Sequence, residues 1–164
     1  MLARRATHAP PALPIAEKAI ARARTILVVD DDRLVHAIVG RIMAGFDGVL
    51  LYANDGKKAL AMTRVVRPDL VLTDALLPGM DGRELSRTIK TDPLTSHTTV
   101  MVMTALYKGA RYKQEAFSKF LVDAYVDKPL NLQTLRPAIE LALAAPSGGG
   151  DVKRVRSVAA QVAL

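Results

Sequence analysis

A few carboxylate, hydroxyl and ammonium side chains directly follow apolar runs of this sequence, in an arrangement suited to metal and phosphoryl chemistry. Of five such runs, the first is followed by Asp30, Asp31 and Asp32, the third by Asp74, the fourth by Thr104 and the fifth by Lys128. Carboxylates that converge need a cation to neutralise them. Mg²⁺ takes oxygen ligands and keeps several waters, and a carboxylate beside it can accept a phosphoryl group as a nucleophile. The pattern therefore predicts a Mg²⁺ and phosphoryl site. Taken singly, Asp32 or its neighbour also fits the N-cap of a helix beginning near Leu34.

The elements that must position these side chains alternate between two types. Apolar, β-branched runs typical of buried parallel strands occur at 26–29, 49–52, 70–72, 100–103 and 124–126. Helical patterns occur between and after them, at 34–43, 56–66, from 82 onward, at 112–120 and at 132–143. Such alternation predicts an α/β fold, a (βα)5 doubly wound parallel sheet. The carboxyl ends of its strands would bring the polar residues together in one crevice.

Four segments in this order resemble the receiver domain of bacterial response regulators, of the chemotaxis-type single-domain kind. They are Ile26–Asp31, Leu72–Asp74 with Leu77–Gly82, Met103–Ala105 and Tyr125–Pro129. Each dipeptide alone is weak, but the ordered set is specific, and the resemblance covers residues 26–143. It implies a five-stranded sheet of flavodoxin-like strand order 2-1-3-4-5.

The resemblance also implies a role for each acidic residue of the site. Asp74 would be the phosphoacceptor. Asp31, Asp74 and the main-chain carbonyl of Leu76 would ligate Mg²⁺ directly, and Asp30 would act largely through water.

The remaining site roles come from the same resemblance. Thr104 and Lys128 would bind the phosphoryl group, and Tyr125 would be an aromatic switch that moves inward when Thr104 is drawn to the phosphate. The peptide bond between Lys128 and Pro129 would be cis. Taken alone, Thr104 also fits an ordinary strand-end position, and Tyr125 a half-buried strand aromatic. Gly82 fits a turn that enters the third helix with an unusual backbone angle.

Composition limits the remaining possibilities. The chain has 164 residues, enough for one domain with tails, and no cysteine, which excludes disulfides, Cys-ligated metals and thiol nucleophiles. No apolar run reaches the roughly 18 residues that a membrane span requires, so we expect no membrane partner and a cytoplasmic protein. The net charge of +7 divides into +4 in 1–25, +1 in 26–143 and +2 in 144–164. We therefore expect no nucleic acid to bind the core domain, and interpret the two ends as a basic N-terminal extension, flexible or partly helical, and a Gly-rich linker with a basic tail.

These observations favour a stand-alone receiver rather than an enzyme. It would accept a phosphoryl group on Asp74, with Mg²⁺ as cofactor, from a histidine kinase or histidine phosphotransfer protein, promoting only its own phosphorylation and dephosphorylation. It would signal to an unknown downstream protein by phosphorylation-dependent contact, with a homodimer as an open possibility. Three alternatives remain: a haloacid-dehalogenase-like phosphatase using Asp30, with Asp32 completing an Asp-x-Asp motif; a receiver-like interaction module that needs no phosphate; and nucleic-acid binding through the basic ends.

Two departures from the family pattern lead to further hypotheses. Apolar Leu76 and Leu106 stand two residues beyond Asp74 and Thr104, where we expect them to exclude water and prolong the life of the phosphate. The segment 106–119 is basic, which fits a solvated helix face or, alternatively, a partner surface.

Overall fold

The computed structural model describes residues 23–105 and 109–144, which form a five-stranded parallel sheet and five helices. The strands are β1 (Arg24–Val29), β2 (Gly48–Ala53), β3 (Leu70–Asp74), β4 (Thr99–Thr104) and β5 (Ala124–Asp127). The helices are α1 (Arg33–Ile42), α2 (Gly56–Val66), α3 (Gly82–Thr91), α4 (Ala110–Lys119) and α5 (Leu132–Ala144). The strand order is β2-β1-β3-β4-β5 and every pairing is parallel. The predicted (βα)5 sheet of order 2-1-3-4-5 is confirmed.

Both faces of the sheet are covered by helices, which explains the continuous apolar runs. Because side chains alternate along a strand, Ile26 and Val28 of β1 pack with residues of α1 and α5. Leu27 and Val29 point to the opposite face and pack with residues of α2 and α3. A third cluster joins β4 and β5 to α4 around Val102. Alternate residues of one strand therefore enter different cores, and no polar position is left in the middle of β1.

The predicted helices agree with the observed ones to within two residues. Helix α1 begins at Arg33 because the carboxylate of Asp32 accepts a hydrogen bond from the Leu34 N–H at 2.8 Å. Helix α2 ends at Val66, and Arg67 adopts φ 51° ahead of Pro68. Met43 is the C-cap of α1, and Gly45 lies in the following turn at φ 76°. None of the helices in the described ranges is long and apolar enough to cross a membrane.

The first strand begins two residues before the predicted start of the domain. Arg24, counted above with the basic extension, lies in β1 and its guanidinium is 3.2 Å from a carboxylate oxygen of Asp69. One of the basic charges assigned to the extension therefore belongs to the folded domain. The predictions for 1–22 and 145–164 fall outside the described residues.

Candidate functional site

The carboxyl edge of the sheet brings three predicted site residues into direct contact. Asp30 follows β1 and Asp74 ends β3, and these strands are neighbours in the sheet. The Lys128 ammonium, just after β5, reaches back across this edge. Its Nζ lies 2.9 Å from Oδ2 of Asp30 and 2.7 Å from Oδ1 of Asp74. One cation therefore bridges two carboxylates that the sequence separates widely.

The carboxylate of Asp30 is held in place on both oxygens. Its Oδ1 accepts the main-chain N–H of Asp32 at 3.0 Å, and its Oδ2 faces Lys128. The residue is only 2% exposed. Burying a carboxylate costs free energy unless it is paired and hydrogen-bonded. The Lys128 ammonium and the Asp32 N–H together offset that cost for Asp30.

The carboxylate of Asp74 is more accessible, with 14% of its side chain exposed. Its Oδ2 accepts the Leu76 N–H at 3.0 Å. The chain just beyond it is fixed on two sides: the N–H of Ala75 bonds to Met103 of β4 at 2.9 Å, and the Gly82 N–H bonds to the Ala75 carbonyl at 3.0 Å. Asp74 therefore has a carboxylate that solvent can reach on a backbone that cannot shift easily.

Glycine at position 82 is required for a reason that differs from the predicted one. A Cβ on Gly82 would overlap the main-chain oxygen of Asp74. The positive φ in this loop belongs instead to Gly79, at 72°. Gly82 therefore allows the start of α3 to approach the backbone of Asp74 closely, and the expectation of an unusual backbone angle at Gly82 is wrong.

The electrostatics of Lys128 follow from the same contacts. Partial burial lowers the pKa of the Lys128 ammonium, but hydrogen bonds and charges from Asp74 and Asp30 together outweigh it. The pKa of Lys128 is therefore raised above its usual 10.5. The ammonium stays charged at neutral pH and supplies a fixed positive charge beside Asp74.

Thr104 and Tyr125 lie on the same side of the sheet, on neighbouring strands. Thr104 ends β4, is buried, and its carbonyl accepts the Lys128 N–H at 2.8 Å. The ring of Tyr125 is buried beneath α4 and meets Phe117 edge-on, with ring centroids 5.7 Å apart. The peptide bond between Lys128 and Pro129 is cis, as expected.

The three consecutive aspartates have three different environments. Asp30 is buried and paired with Lys128, whereas Asp31 is exposed at the rim of the same edge. Asp32 caps α1, as the structural reading of this residue predicted. Only the first two therefore have carboxylates available to the site.

The donor chemistry fits Mg²⁺. Asp30 and Asp74 present carboxylate oxygens to one shared ammonium, and exposed Asp31 adjoins them. Within 23–105 and 109–144, no three acidic or histidine side chains form a ready metal cluster. Mg²⁺ commonly binds through one or two carboxylates and keeps several waters, so it does not need such a cluster.

One polar contact of the site region was not predicted. Lys113 of α4 lies 3.1 Å from Oδ2 of Asp127, the last residue of β5. The sequence shows that the segment of α4 is basic and that an aspartate precedes Lys128. It does not show that Lys113 contacts Asp127. On the same helix, Lys119 lies 3.4 Å from Glu115, on the solvent side.

Of the two leucines predicted to exclude water, only Leu76 lies among the residues that the structure describes. Leu76 is 47% exposed, beside the carboxylate of Asp74. Leu106 lies outside the described residues, as do Tyr107 and Lys108 of the basic segment.

Comparison with known proteins adds an independent line of information. A family model of the response regulator receiver domain matches residues 26–140. The response regulator PleD of Caulobacter vibrioides is 43% identical over 82 residues, which cover 49% of this chain and 18% of PleD. The signal receiver domain of an HD domain-containing protein from Pseudomonas fluorescens superposes with a TM-score of 0.68 at 27% identity, over 76% of this chain and 89% of that one.

A further structure shares the fold at lower identity. The receiver domain of the sensor histidine kinase PA1611 from Pseudomonas aeruginosa, with a magnesium ion in its active-site cleft, has a TM-score of 0.66 at 19% identity and covers 75% of this chain and 99% of that one. The present chain spans between 8% and 55% of the length of eight curated relatives that it matches.

Proposed function

Because this chain belongs to the response regulator receiver family, a family of signalling proteins rather than of enzymes, we propose that Asp74 accepts a phosphoryl group from a histidine kinase or a histidine phosphotransfer protein. A carboxylate oxygen of Asp74 attacks phosphorus, and the bond from phosphorus to the donor imidazole breaks. The imidazole leaves with the electron pair of that bond. The product is an acyl phosphate on Asp74.

The observation that carries this proposal is the contact of 2.7 Å between Asp74 and Lys128. A fixed ammonium beside the nucleophile offsets the charge on the phosphoryl oxygens as it transfers. Asp30 supports this arrangement because it holds the same ammonium from the opposite side, at 2.9 Å. The two carboxylates therefore have different tasks: Asp74 reacts, and Asp30 orients Lys128.

We assign the Mg²⁺ ligands to the same edge of the sheet. Asp31, Asp74 and the main-chain carbonyl of Leu76 would hold the ion directly, and Asp30 would act largely through water. When bound, Mg²⁺ neutralises charge on the phosphoryl oxygens and orients the group. The exposure of Asp31 and the accessible side chain of Asp74 support this assignment.

Thr104 and Tyr125 link the phosphorylated state to a partner surface. We assign the Thr104 hydroxyl as a hydrogen-bond donor to a phosphoryl oxygen, and Tyr125 as the aromatic group that follows Thr104. In support of this, Tyr125 packs directly against Phe117 of α4. A change at Thr104 therefore reaches α4, through which the protein contacts its downstream target.

The phosphatase alternative has no support in the site. An Asp-x-Asp nucleophile and acid would need both Asp30 and Asp32 at the reacting phosphorus. Asp32 instead caps α1, with its Oδ1 2.8 Å from the Leu34 N–H, and Asp30 is buried against Lys128.

The test is phosphorylation of the full chain by a small phosphodonor with Mg²⁺, followed by intact-protein mass measurement and Phos-tag electrophoresis. We expect one phosphoryl adduct that requires Mg²⁺ and is lost in Asp74→Asn. Asp47→Asn removes an exposed aspartate between α1 and β2 and serves as the matched control. An adduct that persists in Asp74→Asn refutes the proposed acceptor, and no adduct in wild type supports the phosphate-independent module.

A further inference from the structure

A groove between α3 and α4 lies apart from the phosphoacceptor edge and shares no residue with it. Its volume is about 430 Å³. The lining comes from the loop after β3, the outer side of α3 and the end of α4: Met80, Glu84, Arg87, Thr88, Lys119 and Phe120. A groove of this size accommodates a few side chains of a partner segment rather than a whole protein surface.

The groove combines an aromatic surface with flanking cations. The guanidinium carbon of Arg83 lies 5.0 Å from the ring centroid of Phe120, and the ammonium of Lys119 lies 5.3 Å from it. Asp81 holds Arg83 in place through contacts of 3.0 and 3.2 Å. Phe120 is half-buried, so part of its ring remains available to an apolar side chain.

The accessible charged groups of the groove are mainly positive. Arg87 is exposed, and it makes no ion pair or side-chain hydrogen bond with any other residue in 23–105 or 109–144. Lys119 has only a solvent-exposed contact with Glu115, of a kind that stabilises little. Glu84 is the single acid of the lining. The groove therefore attracts an anionic segment that also carries an apolar group.

We propose that this groove docks an acidic segment of a partner protein, with an apolar side chain of that segment on Phe120 and its carboxylates on Arg87 and Lys119. The ends of the chain itself have the wrong charge: 1–22 contains four basic residues and one acidic, and 145–164 three and one. A nucleic-acid backbone needs a continuous basic track, which Glu84 interrupts. Docking in this groove does not depend on phosphorylation of Asp74.

The test uses the full unphosphorylated chain and a dye-labelled peptide of alternating glutamate and aspartate with one central phenylalanine. We expect saturable binding by fluorescence anisotropy, weakened roughly tenfold or more in the double variant Arg87→Glu, Lys119→Glu. The double variant Lys57→Glu, Lys58→Glu makes the same change in net charge on exposed positions of α2, and should bind as wild type does. A peptide with serine in place of phenylalanine should bind more weakly.

Amide chemical shifts of the wild-type chain provide a readout that needs no variant. Addition of the phenylalanine peptide should move the signals of Arg87, Thr88 and Lys119 and leave those of α2 in place. Absence of binding, equal losses in the two double variants, or shifts confined to other elements would each overturn the proposal. So would a single-stranded oligonucleotide of equal charge that displaces the peptide at comparable concentration, because the groove would then favour nucleic acid.

Discussion

Lys113 of α4 forms an ion pair of 3.1 Å with Asp127, the last residue of β5 and the neighbour of Lys128. The other oxygen of Asp127 is buried and has no hydrogen-bond partner among the described residues. Lys113 is therefore the charged group that compensates Asp127, and it ties α4 to the end of β5, the strand that contains Tyr125 and directly precedes Lys128. The pair joins α4 to the edge of the sheet at which Lys128 contacts Asp74.

We expect Lys113→Ala to loosen α4 more than it destabilises the whole domain. The pair is partly exposed, so its loss should lower the free energy of unfolding by no more than about 1 kcal/mol. Amide hydrogen exchange should accelerate in α4 but not in α1. Lys119→Ala, which removes the exposed contact with Glu115 at 3.4 Å, is the control and should leave exchange in α4 nearly unchanged. Equal acceleration in the two variants would contradict a linking role for Lys113.

Replacing Lys128 should impair both chemistry and stability. Lys128→Ala removes the shared partner of Asp74 and of Asp30, which is only 2% exposed. Loss of a positive group fixed at the transferring phosphoryl oxygens typically slows such a step by about 10²-fold or more. We expect that reduction in the rate of adduct formation, measured by mass. Mg²⁺ should also raise the melting temperature of Lys128→Ala more than that of wild type, because the two carboxylates then lack another cation. A smaller Mg²⁺ effect in the variant would count against a metal between them.

Glycine at position 82 should not tolerate a side chain. Because a Cβ would overlap the main-chain oxygen of Asp74, Gly82→Ala must push α3 away from β3. Overpacking of this kind costs about 1–3 kcal/mol, and the displaced acceptor should react more slowly with the phosphodonor. Gly109→Ala is the matched control, since a Cβ there would lie 3.5 Å from its nearest neighbour, on Tyr112. Chemical denaturation and adduct formation measure the two effects, and similar behaviour of the two variants would refute the close-approach argument.

Asp92, which follows α3, should stabilise the folded protein at neutral pH, and this contribution should be lost in acid. A hydrogen bond from the Leu94 N–H, and then the side chain of Arg64, lower the pKa of Asp92 below its usual 3.8. A group whose pKa is lowered on folding adds stability that is present above 3.8 and lost as the pH falls through its lower folded value. Wild type should therefore be more stable than Asp92→Asn at pH 7, and the difference should vanish in strong acid. Urea denaturation over a pH series measures it, and a difference that persists unchanged at the lowest pH would contradict this account.

The sheet could be predicted from the sequence because its signals are local. Runs such as Ile26–Val29 are apolar at every position only when both faces of a strand are covered. Asp32 before α1 and Asp81 before α3 mark helix starts by the hydrogen bonds that their side chains make. The gathering of polar residues at one edge followed from the parallel topology alone.

The contacts that tune the site could not be predicted in the same way. Lys113 and Asp127 meet through the packing of α4 on β5, and no spacing in the sequence encodes that distance. The sequence marks Gly82 as a turn residue, but the need for glycine at this position depends on how closely α3 approaches β3. The groove at Phe120 joins residues from three separate elements, which only the folded chain brings together.

The side chain of Leu76 should govern the lifetime of the phosphorylated state. Leu76 is 47% exposed and its N–H bonds to the carboxylate of Asp74 at 3.0 Å, so it adjoins the carboxylate that we propose is phosphorylated. An apolar group there cannot orient an attacking water, whereas an amide can donate and accept hydrogen bonds. We expect Leu76→Asn to lose its phosphate several-fold faster than wild type, and the double variant Leu76→Asn, Leu106→Glu to lose it faster still.

The measurement is decay of the adduct after removal of the phosphodonor, followed by intact-protein mass. Leu94→Asn changes an exposed leucine in the α3–β4 turn, 56% exposed against 47% for Leu76, and is the control, with a decay rate expected to match wild type. Adduct formation must be compared in parallel, because a variant that only binds Mg²⁺ less well would slow formation without accelerating decay. Identical decay in wild type and both Leu76 variants would show that water reaches the acyl phosphate by a route that this leucine does not control.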